Sequence, residues 1–141
     1  MKKLAYLTLS LFSAFTFAQE VSPDRIKTVI SILASDEMKG REIGTPENDN
    51  AAQYIARLFK ENNLEYCTGN SYLVPFTYKG KTAYNVCGIK KGKSDKYLGF
   101  SGHFDHIGMS KKSGDNIYNG ADDDASGITT LVGIADYFKD T

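Results

Sequence analysis

An excess of charge of either sign is what this sequence lacks first: 17 lysines and arginines face 17 aspartates and glutamates. A chain so balanced gives no electrostatic reason to expect nucleic acid or an anionic membrane as partner. Histidine and cysteine are scarce, two of each. The cysteines, at 67 and 87, are spaced wrongly for a two-cysteine zinc knuckle. No internal repeat, low-complexity tract or second domain is visible, which removes solenoid and fibrous classes. The one long apolar run, residues 4–17, falls short of the ~20 residues that a membrane span needs. What remains is 41% hydrophobic and 24% charged, the make-up of one soluble globular domain.

Lys2 and Lys3 precede that apolar run, and Thr16-Phe17-Ala18 closes it with the small residues a signal peptidase requires. Residues 1–18 therefore read as a signal peptide and residues 19–141 as the folded part, exported to the periplasm or the medium. Export would carry Cys67 and Cys87 into an oxidising compartment, where a bridge between them is chemically allowed. Buried free thiols are the alternative.

Ser22-Pro23 is a helix start, a capping hydroxyl followed by proline at the first helical position. Ile26, Val29, Ile30 and Leu33 supply its apolar face. Residues 36–45 form a loop in which Lys39, Arg41 and Glu42 read as a solvated turn with local ion pairs. Thr45-Pro46 repeats the start signal, and Ala51, Tyr54, Ile55, Leu58 and Phe59 give the second helix its buried side. Asn62-Asn63 is a left-handed stop. Tyr72, Val74, Phe76 and Tyr78 then alternate as a strand whose aromatic row belongs to the core, and Pro75 marks it as an edge. Lys79-Gly80-Lys81 turns the chain into a second strand over residues 82–89. Residues 90–95 are a solvated turn, and residues 96–101 return as a short apolar strand of the buried kind.

The chemistry is concentrated in residues 102–127, GHFDHIGMSKKSGDNIYNGADDDASG, which hold both histidines and Asp122-Asp123-Asp124. Beyond them Ile128, Leu131, Val132, Ala135 and Phe138 recur at helical spacing. The ionisable groups thus lie where a strand ends and a helix begins, the usual place for a ligand in an α/β sheet. Three contiguous carboxylates could simply cap that helix. They do not alternate as in an EF-hand calcium loop. His103 and Asp105, two apart, share one face of an extended chain. A carboxylate beside an imidazole is the usual partner that orients a metal-bound histidine. With both groups present a metal site is the better reading, and His/Asp is a ligand set suited to zinc. His106 points away from Asp105 and reads as pocket lining or a core hydrogen-bonding group. Asp122 and Asp124 read as helix caps.

The segments GHFDHIG and NGADDDASG resemble the two N-terminal metal-site motifs of the bacterial leucyl aminopeptidase-like family of zinc exopeptidases. LASDEMKGREIGTPENDNAAQYIARLFKENNLE is similar to that family's opening segment, so the resemblance covers much of residues 32–138. It implies an α/β fold, a three-layer sheet flanked by helices. It implies His103 as a zinc ligand, Asp105 as the catalytic residue that orients the metal site, and Asp123 as the bridge between two zinc ions. The function implied is a secreted or periplasmic zinc metallopeptidase, an aminopeptidase that removes N-terminal residues from peptides through a metal-activated water. Glutaminyl cyclase-like acyltransferases, zinc carboxypeptidases and non-catalytic binding ectodomains of the same fold are the alternatives. The expected partner is a peptide substrate, with no nucleic acid and no membrane after signal cleavage. The family's later Glu-Glu pair, Asp and His have no counterpart here. The chain is therefore expected to be the N-terminal part of such a domain, truncated at its C-terminus and inactive alone.

Overall fold

The computed structural model describes residues 21–140; the signal-peptide reading of residues 1–18 lies outside them. Helix α1 spans Pro23–Leu33, and the Ser22 hydroxyl accepts from the Arg25 N–H at 3.4 Å. Helix α2 spans Pro46–Glu61, with Thr45 accepting from the Asn48 N–H at 3.3 Å. Both starts lie where a capping hydroxyl and a proline satisfy or remove the amides that a first turn leaves unpaired. Asn62 ends α2 and Asn63 takes φ 54°, the left-handed conformation that asparagine tolerates. Helix α3 spans Ser126–Tyr137.

The three helices share one core: Val29 and Leu33 from α1, Ala51, Tyr54, Ile55, Leu58 and Phe59 from α2, and Ile128 and Val132 from α3. Each large aliphatic side chain so buried contributes about 1.5–3 kcal/mol. Ile30 borders this cluster and is only partly buried, as is Ile26, so the buried stripe of α1 is narrower than its spacing suggests. Arg25 ties the rim together, reaching Glu61 at 2.9 Å and Asp136 at 3.4 Å.

Four short strands follow α2 in two antiparallel pairs. β1 (Glu65–Tyr66) pairs with β4 (Gly88–Ile89), and β2 (Leu73–Tyr78) pairs with β3 (Lys81–Val86) in a register running from Leu73↔Val86 to Tyr78↔Lys81. Lys79 and Gly80 make the two-residue turn, both at positive φ, 47° and 76°. That pair of angles matches the twist of the flanking strands. Cys67 and Cys87 are bridged, with Cα atoms 5.7 Å apart, which settles the alternative that the sequence left open. The bridge joins the end of β1 to the break between β3 and β4. The single strand expected over residues 82–89 is therefore two, divided at Cys87, whose N–H donates to the Tyr72 carbonyl at 2.9 Å.

Two expectations fail here. The aromatic row is not a core face: Tyr72 is buried, but Phe76 is 37% exposed, because a two-stranded hairpin has too little sheet to cover both sides. Residues 96–101 form no paired strand among the described residues, and Tyr97 and Leu98 are 88% and 82% exposed. An apolar run becomes a buried strand only where neighbouring strands accept its hydrogen bonds, and none does so here. Helices with small antiparallel sheets are an α/β composition; the three-layer arrangement goes beyond what these elements form. Among the described residues no helix is long and apolar enough to cross a membrane.

Candidate metal centre

Residues 102–106 run past the start of α3, and residues 121–125 make one widened, irregular turn before it, in which Asp123 (φ −113°, ψ 93°) and Asp124 (φ −130°, ψ 41°) leave helical geometry. That departure turns the Asp123 side chain out of the helix and toward the histidines. Nε2 of His103 lies 3.1 Å from Asp123 Oδ1, and Nδ1 of His106 lies 3.6 Å from Asp123 Oδ2. The side chains of His103 and Asp123 are 55% and 67% exposed, whereas that of His106 is 14% exposed.

Asp105 acts on His103 mainly through its backbone. Nδ1 of His103 is 3.0 Å from the Asp105 carbonyl oxygen and 3.6 Å from its carboxylate Oδ1. A carbonyl only accepts, so a protonated Nδ1 donates to it, and Nε2 is the ring atom turned toward Asp123. Nε2 and the Asp123 carboxylate thus face each other at 3.1 Å, a contact that a shared cation, whether a proton or a metal ion, suits. A metal bonded to both at about 2.0–2.2 Å in a tetrahedral shell would hold such donors about 3.3–3.6 Å apart, slightly wider than the contact here. The residues present fit one edge of a metal's coordination shell. Among the described residues, no three His, Cys, Asp or Glu side chains are grouped closely enough to hold an ion by themselves.

His106, largely buried as pocket lining would be, turns its ring toward Asp123. Two residues behave differently from their reading in the sequence. Asp124 does more than cap a helix, since it also accepts from the His103 N–H at 3.2 Å. Asp122, by contrast, is exposed. Arg41 is not in a solvated turn. It is completely buried, and its guanidinium donates to the carbonyls of Phe104 (2.6 Å), Asn119 (2.7 Å), Gly120 (2.8 Å) and Leu33. Burial pushes its pKa down, opposed by the Asp105 and Asp123 carboxylates. One buried cation thus fastens the end of α1, the histidine loop and the approach to the Asp triplet. Its partners lie 8 to 79 residues away, so no local signal could have found it. Of its neighbours, Lys39 does form the expected local pair, with Glu47 at 2.7 Å, and Glu42 is exposed.

A concavity of about 560 Å³ opens elsewhere, lined by Lys60, Asn63, Leu64, Glu65, Tyr66 and Tyr72. It contains neither histidine nor any of the triplet. In comparisons with known proteins, the profile of Peptidase family M28 matches residues 85–141. The matched part is less than half of the chain, yet it takes in the whole of residues 102–127. No curated protein and no solved structure matches the chain.

Proposed function

We propose that this chain is part of a metal-dependent peptidase of the M28 kind, with His103 and Asp123 as ligands. The facing groups, His103 Nε2 and Asp123 Oδ1 at 3.1 Å, carry this reading, and the M28 similarity over residues 85–141 gives it its reaction class. Zinc, when bound, lowers the pKa of a water and polarises a scissile carbonyl. The chain's own residues prepare that site. The Asp105 carbonyl, 3.0 Å from His103 Nδ1, orients the ring, and the loop carrying both is held by Arg41. Exposure of His103 and Asp123 leaves room for a peptide to approach.

The finer reading is a zinc aminopeptidase, exported behind residues 1–18, in which Asp123 bridges two ions. Its sheet would be that of a three-layer zinc exopeptidase. The Cys67–Cys87 bridge supports export, because such bonds persist in oxidising compartments. A catalytic zinc takes three protein ligands, more than His103 and Asp123 provide. Tyr97, Leu98 and Phe100 also stand exposed where a sheet would use them. The reading therefore includes further donors and further strands from a longer chain, and low or absent hydrolysis by these 141 residues alone.

Calorimetric titration of the chain with zinc tests the ligand pair. Wild type should bind one ion weakly, and His103→Ala and Asp123→Ala should each weaken binding about tenfold or more. Equal affinity in all three proteins would remove the pair from the site.

A further inference from the structure

The third aspartate of the triplet has a task distinct from the second. Asp124 turns its carboxylate back into the fold, Oδ2 accepting from the His103 N–H at 3.2 Å and Oδ1 from the Gly127 N–H at 3.0 Å. The first bond spans 21 residues and the second closes on the opening turn of α3. Glycine lines the carboxylate on both sides. A Cβ on Gly102 would stand 3.1 Å from Oδ2, and one on Gly127 would lie 2.6 Å from Cγ, too close for any side chain. Both oxygens are engaged by main-chain donors, and charged acceptors make the stronger hydrogen bonds. Asp124 is covalently next to Asp123 and hydrogen-bonded to the backbone of His103, so it links the segments that carry the two facing groups.

The geometry points to Asp124 as the positioning residue that keeps His103 Nε2 and Asp123 Oδ1 facing each other, as a shared divalent cation would require. The inference rests on the metal reading above. It says that Asp124 acts through the two ligands and touches neither metal nor substrate.

The test is Asp124→Asn in the full chain, which puts a donor where one of two acceptors stood. Amide exchange at His103 and Gly127, followed by NMR without metal, should speed up about tenfold at one or both sites. The zinc dissociation constant, read by competition with a chromophoric chelator, should rise about tenfold. Asp122→Asn should change neither. Faster exchange with unchanged zinc affinity would make Asp124 a helix cap only and overturn the proposal, as would no change in either. If wild type itself takes up no zinc, the metal reading fails and the proposal with it, a result distinct from the other two. Should Asp124→Asn not fold, Gly102→Ala crowds Oδ2 while keeping the carboxylate. A severalfold loss of zinc affinity there supports the proposal, and unchanged affinity overturns it.

Discussion

The guanidinium of Arg41 donates to the carbonyl of Gly120 at 2.8 Å, linking a fully buried cation to the backbone two residues before the Asp triplet. The same side chain holds the carbonyl of Phe104, which follows His103. Both halves of the candidate site therefore hang on one side chain that belongs to neither.

Removing that side chain should be costly. Arg41→Met takes the donor from the Leu33, Phe104 and Asn119 carbonyls, while that of Gly120 keeps the Ala125 N–H, and each buried unsatisfied group costs about 1–3 kcal/mol. A loss of at least about 3 kcal/mol in chemical unfolding is expected. Arg41→Lys keeps the charge but has no planar fork to reach four acceptors, and should recover only part of it. Wild-type stability in either variant would contradict the assignment.

Gly40 should tolerate no side chain. It sits at φ 68°, and a Cβ would press on the Gly108 carbonyl and stand 2.6 Å from the Tyr118 carbonyl oxygen. The Gly108 N–H donates to the Gly40 carbonyl at 3.0 Å, so the clash falls on the contact that aligns residues 40–42 with 106–108. Gly40→Ala should lower stability by at least about 2 kcal/mol, the left-handed backbone alone accounting for about 1–2 kcal/mol. A thermal melt matching wild type would refute this.

How much of this could be read from residues alone follows the range of the forces involved. The starts of α1 and α2 were legible because Ser22-Pro23 and Thr45-Pro46 act on amides within one turn. The buried side of α2 was legible because five apolar residues repeat at helical spacing. Arg41 was not, because burial of a charge depends on carbonyls brought together by the fold. Residues 97–100 misled for the same reason: their hydrophobicity is local, but the strands that would pair with them are not. At the centre, the residue types suggested a metal site, which remains a proposal. Which oxygen of Asp105 meets His103, and that His106 turns inward, depend on backbone angles that spacing does not carry.

The disulfide should matter both to stability and to origin. Cys67 and Cys87 are 20 positions apart, and closing a loop of that size is worth about 3 kcal/mol. Replacing both by alanine should cost about that much in denaturant unfolding. Secreted material should begin at Gln19 on N-terminal sequencing, as cleavage after Ala18 predicts. An intact Met1 in the exported fraction would contradict the signal-peptide reading.

The most direct test of the metal centre is the ring-nitrogen NMR spectrum of the two histidines during a zinc titration. If His103 Nε2 and Asp123 form the coordinating edge, the Nε2 resonance of His103 should move markedly with zinc while Nδ1 keeps the shift of a protonated nitrogen, and Asp123→Ala should suppress that response. Zinc leaving both nitrogens of His103 unmoved, or moving them equally with and without the Asp123 carboxylate, would contradict the account.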